Sequence, residues 1–322
     1  PPAPPAAPAG TTPGAHALAF AAYPSPGDET PVSTDAHHSN IVPWQMLCER
    51  SGAVLKPIPL TPDLHFDEEA YQRLLSPRTR LVAVPWVSNA LGSINPVERI
   101  TAAAKRNRAD CLVLIDGAQS TAHMAVDVQA IGCDFYAFSG HKVYGPTGTG
   151  VLWGREELLT QLPPWQGGGE MISEVTFAKT TYNELPFKYE AGTPNIAGNI
   201  VLAEALRYVQ RIGLPAIEQH EQKLTQRLYE GLQALGGINI LGTAEGRGAL
   251  ISITVPGVHH YDLGTLLDQM GVAVRTGHHC CQPLMQSLGI TGTTRYSLGL
   301  NNTEEDVDRA LACTRRALDM LR

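Results

Sequence analysis

The sequence predicts an α/β fold in which a doubly wound, mostly parallel sheet is followed by a smaller α+β domain. Three observations lead to this prediction: short apolar runs typical of buried parallel strands, a helix signal between them, and a change of pattern near residue 197. Alternating strands and helices imply right-handed crossovers and helices on both faces of the sheet. We therefore expect a large domain over residues 27–196 and a small domain over residues 197–322.

The first 26 residues differ from the rest, since they are rich in proline and alanine and contain no Asp, Glu, Lys or Arg. The prolines interrupt the apolar core that a signal peptide needs, and the basic start of such a peptide is missing. We expect residues 1–26 to be a flexible tail or an incomplete chain start.

The elements of the large domain follow from local patterns. Strands are predicted where β-rich apolar residues run together, at residues 80–88, 111–116 and 133–139. Between the first two, the stretch "NPVERITAAAKRNRAD" predicts a helix. Asn95 is its expected N-cap and Pro96 its first residue, because both residue types favour these positions.

The second half predicts two long helices, followed by alternating strands and helices. Thr303 and Asp306 form a capping-box signature at the start of a last helix. The expected elements before it are helices at 198–211 and 215–235, a strand at 249–255, a helix near 261–270, and strands at 272–276 and 294–300.

Composition excludes several classes of protein. The 322 residues are 43% hydrophobic, and the formal net charge of −7 argues against a nucleic-acid surface. No apolar run reaches the roughly 18 residues of a membrane span, so we expect a soluble protein that binds no membrane. The six cysteines lack C-x-x-C spacing, which disfavours a disulfide scaffold or a zinc ribbon and fits a reducing cytoplasm.

A lysine follows the strand at 133–139, in the stretch "FSGHKVYGPTGTG". Lys142 thus leaves the sheet at its carboxyl end, where open α/β sheets bind ligands. Schiff-base chemistry needs an amine that can lose its proton, and burial favours this. The alternative is a solvated surface lysine.

A carboxylate ends the preceding strand, in the stretch "IDGAQS". Asp116 at this position can hold a protonated pyridine nitrogen, and Gln119 could reach the hydroxyl of the same ring. An ordinary strand-to-helix turn is the alternative. Candidate anion donors are found in nearby turns: Ser139, His141, Thr193 of "AGTPN" and Thr12 of "AGTT".

The stretch "RTGHHCC" places Cys280 beside two histidines and close to Arg275. Such a cationic setting favours a thiolate, whereas a packing cysteine is rarely flanked by two histidines. "DAHH" at 35–38 and "HHCC" together could also suggest a metal site. Because adjacent side chains seldom bind one metal and no i, i+4 pair is present, we expect no metal.

These stretches, with "PPWQGGGEMI", resemble the Suf/Csd-type cysteine desulfurases. This group belongs to the class V aminotransferases, which are fold-type I enzymes that depend on pyridoxal 5'-phosphate (PLP). The resemblance covers roughly residues 27–322. The short loop before Cys280 is similar to the Suf/Csd branch rather than to the NifS/IscS branch.

The resemblance implies a role for each candidate residue. Lys142 would hold PLP covalently, and Asp116 and Gln119 would contact its pyridine nitrogen and phenolic oxygen. His37 would stack on the ring and move protons. The phosphate would be bound by Ser139, His141, Thr12 and, from a second subunit, Thr193. The substrate carboxylate would be bound by Asn89, Arg295 and Arg275, and Cys280 would accept the sulfur.

The activity implied is conversion of L-cysteine to L-alanine, with a persulfide formed on Cys280. The enzyme would be a cytoplasmic homodimer that supplies iron–sulfur cluster assembly through a SufE/CsdE-like acceptor protein. The alternatives are a selenocysteine lyase, another class V enzyme, and an inactive sulfur-relay protein. Ala36, His16 and Asn301 depart from the family pattern, which has glutamate, asparagine and tyrosine there.

Overall fold

The computed structural model describes residues 11–22 and 24–322. A six-stranded sheet forms the centre of its larger half. The strands are β1 (Glu29–Ser33), β2 (Val54–Ile58), β3 (Leu81–Pro85), β4 (Leu112–Asp116), β5 (Phe135–Ser139) and β6 (Gly150–Gly154). Their order is β2-β1-β3-β4-β5-β6, and only β6 is antiparallel to its neighbour. The predicted α/β fold with a mostly parallel sheet is confirmed.

Successive residues of the central strands face opposite sides of the sheet, as the two-residue period of a strand requires. Val113 and Ile115 of β4 belong to one buried cluster, whereas Leu114 belongs to the other. Helices cover these faces: α1 (Thr11–Ala21), α2 (Val42–Ser51), α3 (Glu68–Leu74), α4 (Val97–Asn107), α5 (Val128–Ile131) and α6 (Glu156–Gln161). Each central strand is therefore buried on both sides, which explains its nearly continuous apolar sequence.

A two-stranded hairpin, β7 (Ile172–Val175) and β8 (Thr180–Tyr182), leads to the second half. That half contains the helices α7 (Ile196–Ile212), α8 (Leu214–Leu235), α9 (His260–Gln269), α10 (Gln282–Ser287) and α11 (Glu304–Leu321). Its antiparallel sheet has the order β11-β12-β10-β9 and consists of β9 (Asn239–Ile240), β10 (Leu250–Thr254), β11 (Arg275–Gly277) and β12 (Thr293–Ser297). The predicted capping box of Thr303 and Asp306 is present at the start of α11.

The helices α7 and α8 join the two halves. Val209 of α7 and Ile217 of α8 lie in the same buried cluster as Val113 of the large sheet. Since these helices contribute to that core, the boundary predicted between residues 196 and 197 stays a prediction. Among the described residues, no helix has the length and the apolar composition that crossing a bilayer requires.

Of the two expectations for residues 1–26, a flexible tail or an incomplete chain start, the flexible tail does not hold for Thr11–Ala21, because these residues form α1. Ala15, Ala17 and Leu18 are buried in the cluster that contains Phe135 of β5. Small side chains allow the helix to lie close to the sheet, and Pro13 is tolerated because it falls in the first turn. Residues 1–10 lie outside the described residues.

The predicted cap of α4 is also wrong. The helix begins at Val97 with Pro96 as its N-cap, and no side chain caps it. Asn95 instead donates from Nδ2 to the Pro85 carbonyl oxygen at 2.9 Å and to Asp35 Oδ2 at 3.4 Å. The Nδ2 of Asn95 thus binds the buried carboxylate and the strand end, while its Oδ1, the atom that an N-cap would use, has no partner among the described residues.

Candidate active site

The candidate lysine stands where strand β5 ends. A short 3-10 helix, Gly140–Lys142, follows Ser139 directly. A Cβ atom on Gly140 would lie 2.3 Å from Thr149 Oγ1, so this tight turn requires glycine. Burial lowers the pKa of Lys142, although Asp116 opposes this shift. In the described part of the chain, Lys142 Nζ has no hydrogen-bond or ion-pair partner. Among these residues, no direct contact therefore stabilises the protonated form of this amine.

Asp116 ends strand β4, directly beside β5, and is 5% exposed. Burial raises the pKa of Asp116, and the charge of Lys142 opposes the rise. Its Oδ1 accepts a hydrogen bond from the Ala118 backbone N–H at 3.0 Å. A Cβ atom on Gly117 would lie 2.0 Å from Tyr136 Cζ, so the turn after the carboxylate also requires glycine.

Gln119 lies on the same turn, at the contact between the two halves. It lines a small cavity of about 30 Å³ together with His123, Glu221 and Arg247. His123 Nδ1 lies 2.8 Å from Glu221 Oε2, so an interaction with α8 holds this segment. Gln119 therefore lies on a segment that contacts α8 through the His123–Glu221 pair.

His37 follows strand β1 and caps the 3-10 helix His38–Asn40. Its Nδ1 accepts a hydrogen bond from the Ser39 backbone N–H at 3.0 Å and lies 2.9 Å from Ser39 Oγ. Burial lowers the pKa of His37 to about 4, and the positive charge of Lys142 contributes to the shift. The imidazole is consequently neutral near pH 7 and is electrostatically coupled to the candidate lysine.

Helix α1 begins beside Ser139. The Thr11 backbone N–H donates to Ser139 Oγ at 3.1 Å, and Thr12 Oγ1 lies 2.5 Å from Ser39 Oγ. His141 is exposed and lies in the 3-10 helix that follows Ser139. A helix N-terminus with hydroxyls favours an anion. The sequence analysis identified Thr12 of "AGTT" but not Thr11 or Ser39. Thr11 could have been found, because it is the other threonine of the same motif.

Thr193 shares a cavity with the first turn of α1 but makes no hydrogen bond to Ser139 or His141 among the described residues. It is exposed and lines a cavity of about 260 Å³ with Pro13, Thr149 and Trp165. No hydrogen bond joins it to Ser139 among the described residues. A role for Thr193 at the anion position of its own chain is therefore unsupported, and the expected role in a second subunit stays a prediction.

The candidate nucleophile lies on the loop between β11 and α10. Cys280 is partly exposed, and Arg275 Nη2 lies 3.6 Å from its Sγ. The Cys280 carbonyl oxygen accepts from the His38 N–H at 2.7 Å, and its own N–H donates to His278 Nδ1 at 3.1 Å. These contacts hold the cysteine backbone beside the segment that carries His37, while the thiol stays accessible.

The neighbouring cysteine is held differently. Cys281 is fully buried, and its Sγ donates to Asn89 Oδ1 at 3.2 Å and to the Ala36 carbonyl at 3.4 Å. Burial raises the pKa of the Cys281 thiol. The backbone between the two thiols is not extended, because His279 and Cys280 have φ values of 54° and 58°. A left-handed turn, rather than strand-like alternation, separates the two thiols.

Two arginines face each other next to this loop. Arg295 of β12 is the direct register partner of Arg275 in β11, an arrangement that like charges disfavour unless an anion lies between them. Burial lowers the pKa of Arg295 to about 10, and the charge of Arg275 adds to the effect. Arg295 Nε is buried and has no partner in the part of the chain described. This pair can bind a carboxylate.

Asn89 connects the arginine to the cysteine loop. Its carbonyl oxygen accepts from Arg295 Nη1 at 2.7 Å, and its Nδ2 donates to the His279 carbonyl at 2.6 Å. The amide retains one N–H for a further acceptor. Asn89 therefore holds Arg295 and the cysteine loop together, and this remaining N–H is the atom that it could offer to a ligand.

The stretches "DAHH" and "HHCC" meet without forming a metal site. The rings of His38 and His278 lie 5.6 Å apart, and His38 Nε2 accepts from the Gln282 N–H at 3.1 Å. Within residues 11–22 and 24–322, no group of three or more His, Cys, Asp or Glu side chains has the geometry of metal ligands. The histidines serve to join the two segments.

Comparison of the sequence with known proteins identifies a family. The aminotransferase class-V family matches residues 9–310. A probable cysteine desulfurase of Vibrio cholerae is 46% identical over 295 residues, covering 92% of this chain and 72% of the relative. A cysteine desulfurase of Salmonella agona is 49% identical over 287 residues, covering 89% of this chain and 70% of the relative.

Structural comparison gives the same result. The crystal structure of the cysteine desulfurase CsdA from Escherichia coli, in an S-sulfonic acid form, superposes with a TM-score of 0.94. The two chains are 38% identical, and the match covers 99% of this chain and 79% of the other. By sequence and fold, the chain belongs to the aminotransferase class-V family and, within it, to the cysteine desulfurases.

Proposed function

We propose that this protein is a PLP-dependent cysteine desulfurase that converts L-cysteine to L-alanine and forms a persulfide on Cys280. The observation that carries the proposal is the meeting of three groups. Among the described residues, Lys142 is a partly buried amine without a hydrogen-bond or ion-pair partner, and Arg295 and Arg275 are neighbouring cations without a carboxylate partner. Cys280 presents an accessible thiol beside that pair.

The residues of the site fit PLP. Asp116 is a buried carboxylate that forms no ion pair among the described residues, so it would hold the protonated pyridine nitrogen. Lys142 would hold the aldehyde carbon, and Ser139 with the first turn of α1 would hold the phosphate. When bound, PLP supplies an electron sink for the bonds at the substrate α-carbon. Gln119 and His141 would add contacts to the ring and the phosphate.

The arginines orient the substrate. A carboxylate placed between Arg295 and Arg275 would neutralise their mutual repulsion and would satisfy the unpartnered Arg295 Nε. The remaining Asn89 N–H would donate to the same carboxylate. Binding at this position directs the substrate thiol toward Cys280, since Arg275 Nη2 is 3.6 Å from that sulfur.

Lys142 and Cys280 then perform different steps. Because burial lowers its pKa, the Lys142 amine can take the α-proton and return a proton. The Cys280 thiolate attacks the sulfur of the substrate. An S–S bond forms, the C–S bond breaks, and its electron pair stays with the three-carbon fragment, which gains a proton and leaves as alanine. The persulfide remains on Cys280, where a SufE/CsdE-like acceptor protein could take the sulfur toward iron–sulfur cluster assembly in the cytoplasm.

The proposal includes a homodimer. Ile196, Ile200 and Val201 of α7 are 59%, 65% and 52% exposed in the single chain. A second copy covering this apolar face would stabilise it by burial, and would provide Thr193 to the phosphate. Sedimentation of Ile200→Asp should give monomers, whereas the exposed variant Lys223→Ala should stay dimeric. A wild-type monomer that binds PLP fully would refute this part.

The function is tested by alanine release from L-cysteine after reconstitution with PLP. We expect turnover, and mass spectrometry after a cysteine pulse should find the added sulfur on Cys280. Absence of alanine with full PLP loading would overturn the proposal. Alanine formed only from L-selenocysteine, and independent of Cys280, would favour the selenocysteine lyase instead.

A further inference from the structure

The proton position on His37 follows from a backbone contact. The Ser39 N–H donates to His37 Nδ1 at 3.0 Å, and a backbone N–H can only donate a hydrogen bond. Nδ1 must therefore carry a lone pair. Since burial keeps the ring neutral by lowering its pKa to about 4, the proton lies on Nε2. Among the described residues, Nε2 has no hydrogen-bond partner.

Two hydroxyls extend this arrangement in one direction. Ser39 Oγ lies 2.9 Å from His37 Nδ1, and because Nδ1 accepts, the hydroxyl must donate to it. The Ser39 oxygen then accepts from Thr12 Oγ1 at 2.5 Å. Thr12 belongs to the first turn of α1, whose Thr11 N–H donates to Ser139 Oγ. A directed chain of hydrogen bonds thus runs from α1 to the imidazole.

We propose that Thr12 and Ser39 are positioning residues that fix His37 as its Nε2–H tautomer, so that His37 acts at the site as a hydrogen-bond donor and not as a base. The catalytic consequence depends on the proposed desulfurase function, but the tautomer does not. Proton uptake is then left to Lys142, and His37 can only stabilise negative charge or give up its proton.

The molecule contains an internal reference. His259 caps α9 in the same way, since its Nδ1 accepts from the Tyr261 N–H at 3.4 Å, but no hydroxyl contacts that nitrogen among the described residues. Comparing His37 with His259 therefore separates the backbone contact, which both have, from the hydroxyl chain, which only His37 has.

The experiment is long-range ¹H–¹⁵N spectroscopy of ¹⁵N-histidine-labelled protein, with and without PLP, using His37→Gln and His259→Gln to assign the signals. We expect His37 to show a protonated Nε2 and a strongly hydrogen-bonded, unprotonated Nδ1. In Ser39→Ala and in Thr12→Val, the Nδ1 signal of His37 should move toward the position of His259, while the His259 signal stays unchanged and so reports an intact fold.

A His37 signal with a protonated Nδ1 would overturn the inference, as would a Ser39→Ala spectrum identical to wild type. Turnover provides the second measurement. Loss of one hydrogen bond should lower kcat by about two- to tenfold in Ser39→Ala with little change in KM. Because the spectra need no turnover, failure of the tautomer is distinguishable from failure of the desulfurase assay.

Discussion

Lys142 and Cys280 lie at one site, but the structure holds them in different ways. Lys142 follows a central strand directly, in a turn that admits only glycine at position 140, and burial lowers its pKa. Cys280 lies on a left-handed loop that is held by backbone contacts and leaves the thiol partly exposed. The difference matches the proposed chemistry: proton transfer is favoured by a desolvated amine, whereas a thiol that attacks the sulfur of a substrate requires access.

The two adjacent cysteines repeat this difference at shorter range. Cys281 is buried between the Asn89 amide and the Ala36 carbonyl, while Cys280 contacts Arg275 at the surface. One loop therefore provides a packing residue and an accessible thiol in succession. Variants of Lys142, Cys280 and Cys281 test whether the buried and the exposed residues have these different roles.

The largest effect is expected for Lys142→Ala. Removing the amine eliminates both the covalent anchor and the base, so alanine release should fall by more than about 10⁴-fold. Circular dichroism should be unchanged, because the side chain has no partner in the described structure. Lys223→Ala, which removes an exposed lysine, is the control. Activity of Lys142→Ala within tenfold of wild type would contradict the assignment.

The next effect separates the thiols. Cys280→Ser should lose at least about 10²-fold in alanine release while it still binds PLP, because a hydroxyl is a poor nucleophile toward sulfur. Cys281→Ser should retain most activity and melt at a lower temperature, because it changes only a buried contact. A persulfide found on Cys281 by mass spectrometry would reverse the assignment.

An intermediate effect is expected at the arginine pair. Arg295→Gln would remove the charge-assisted contact proposed for the substrate carboxylate, so KM for L-cysteine should rise by roughly 10- to 100-fold. Arg275→Gln should also lower kcat, because this guanidinium contacts the Cys280 sulfur. Steady-state kinetics distinguish the two patterns. Equal changes in KM and kcat for both variants would show that the arginines act as one unit.

The smallest effect, when it is taken over one pH unit, concerns acid stability. Burial lowers the pKa of His279 from 6.5 to about 3, so between these values the unfolded chain binds a proton that the folded chain does not. Stability should be full above pH 6.5 and decrease as the pH falls, by at most about 1.4 kcal/mol per pH unit for this histidine. Denaturant unfolding at several pH values measures the slope.

His279→Gln should reduce that slope. Thr293→Val is the matched control, since it removes the 2.7 Å contact to His279 Nε2 but keeps the imidazole. It should lower stability and preserve the slope. If His279→Gln and wild type have the same slope, the buried imidazole does not control acid stability.

Local sequence was sufficient to predict the centre of the fold and of the site. Buried parallel strands produce apolar runs, and the carboxyl ends of neighbouring parallel strands meet, so Asp116 and Lys142 could be placed together without coordinates. The capping box of α11 was equally accessible, because its contacts span three residues. Family resemblance then supplied roles that these patterns alone left open.

What the sequence by itself determined is therefore what depends on period and on short-range contacts: the α/β class, the three strands β3, β4 and β5, and the chemistry of their carboxyl ends. The tertiary structure alone decided where an uncharged, alanine-rich segment packs as α1, why Asn95 serves Asp35 instead of a helix, and how Thr12 reaches Ser39. It also decided which of two adjacent thiols is exposed. These outcomes depend on contacts between residues far apart in the chain, where burial and available partners outweigh local preference.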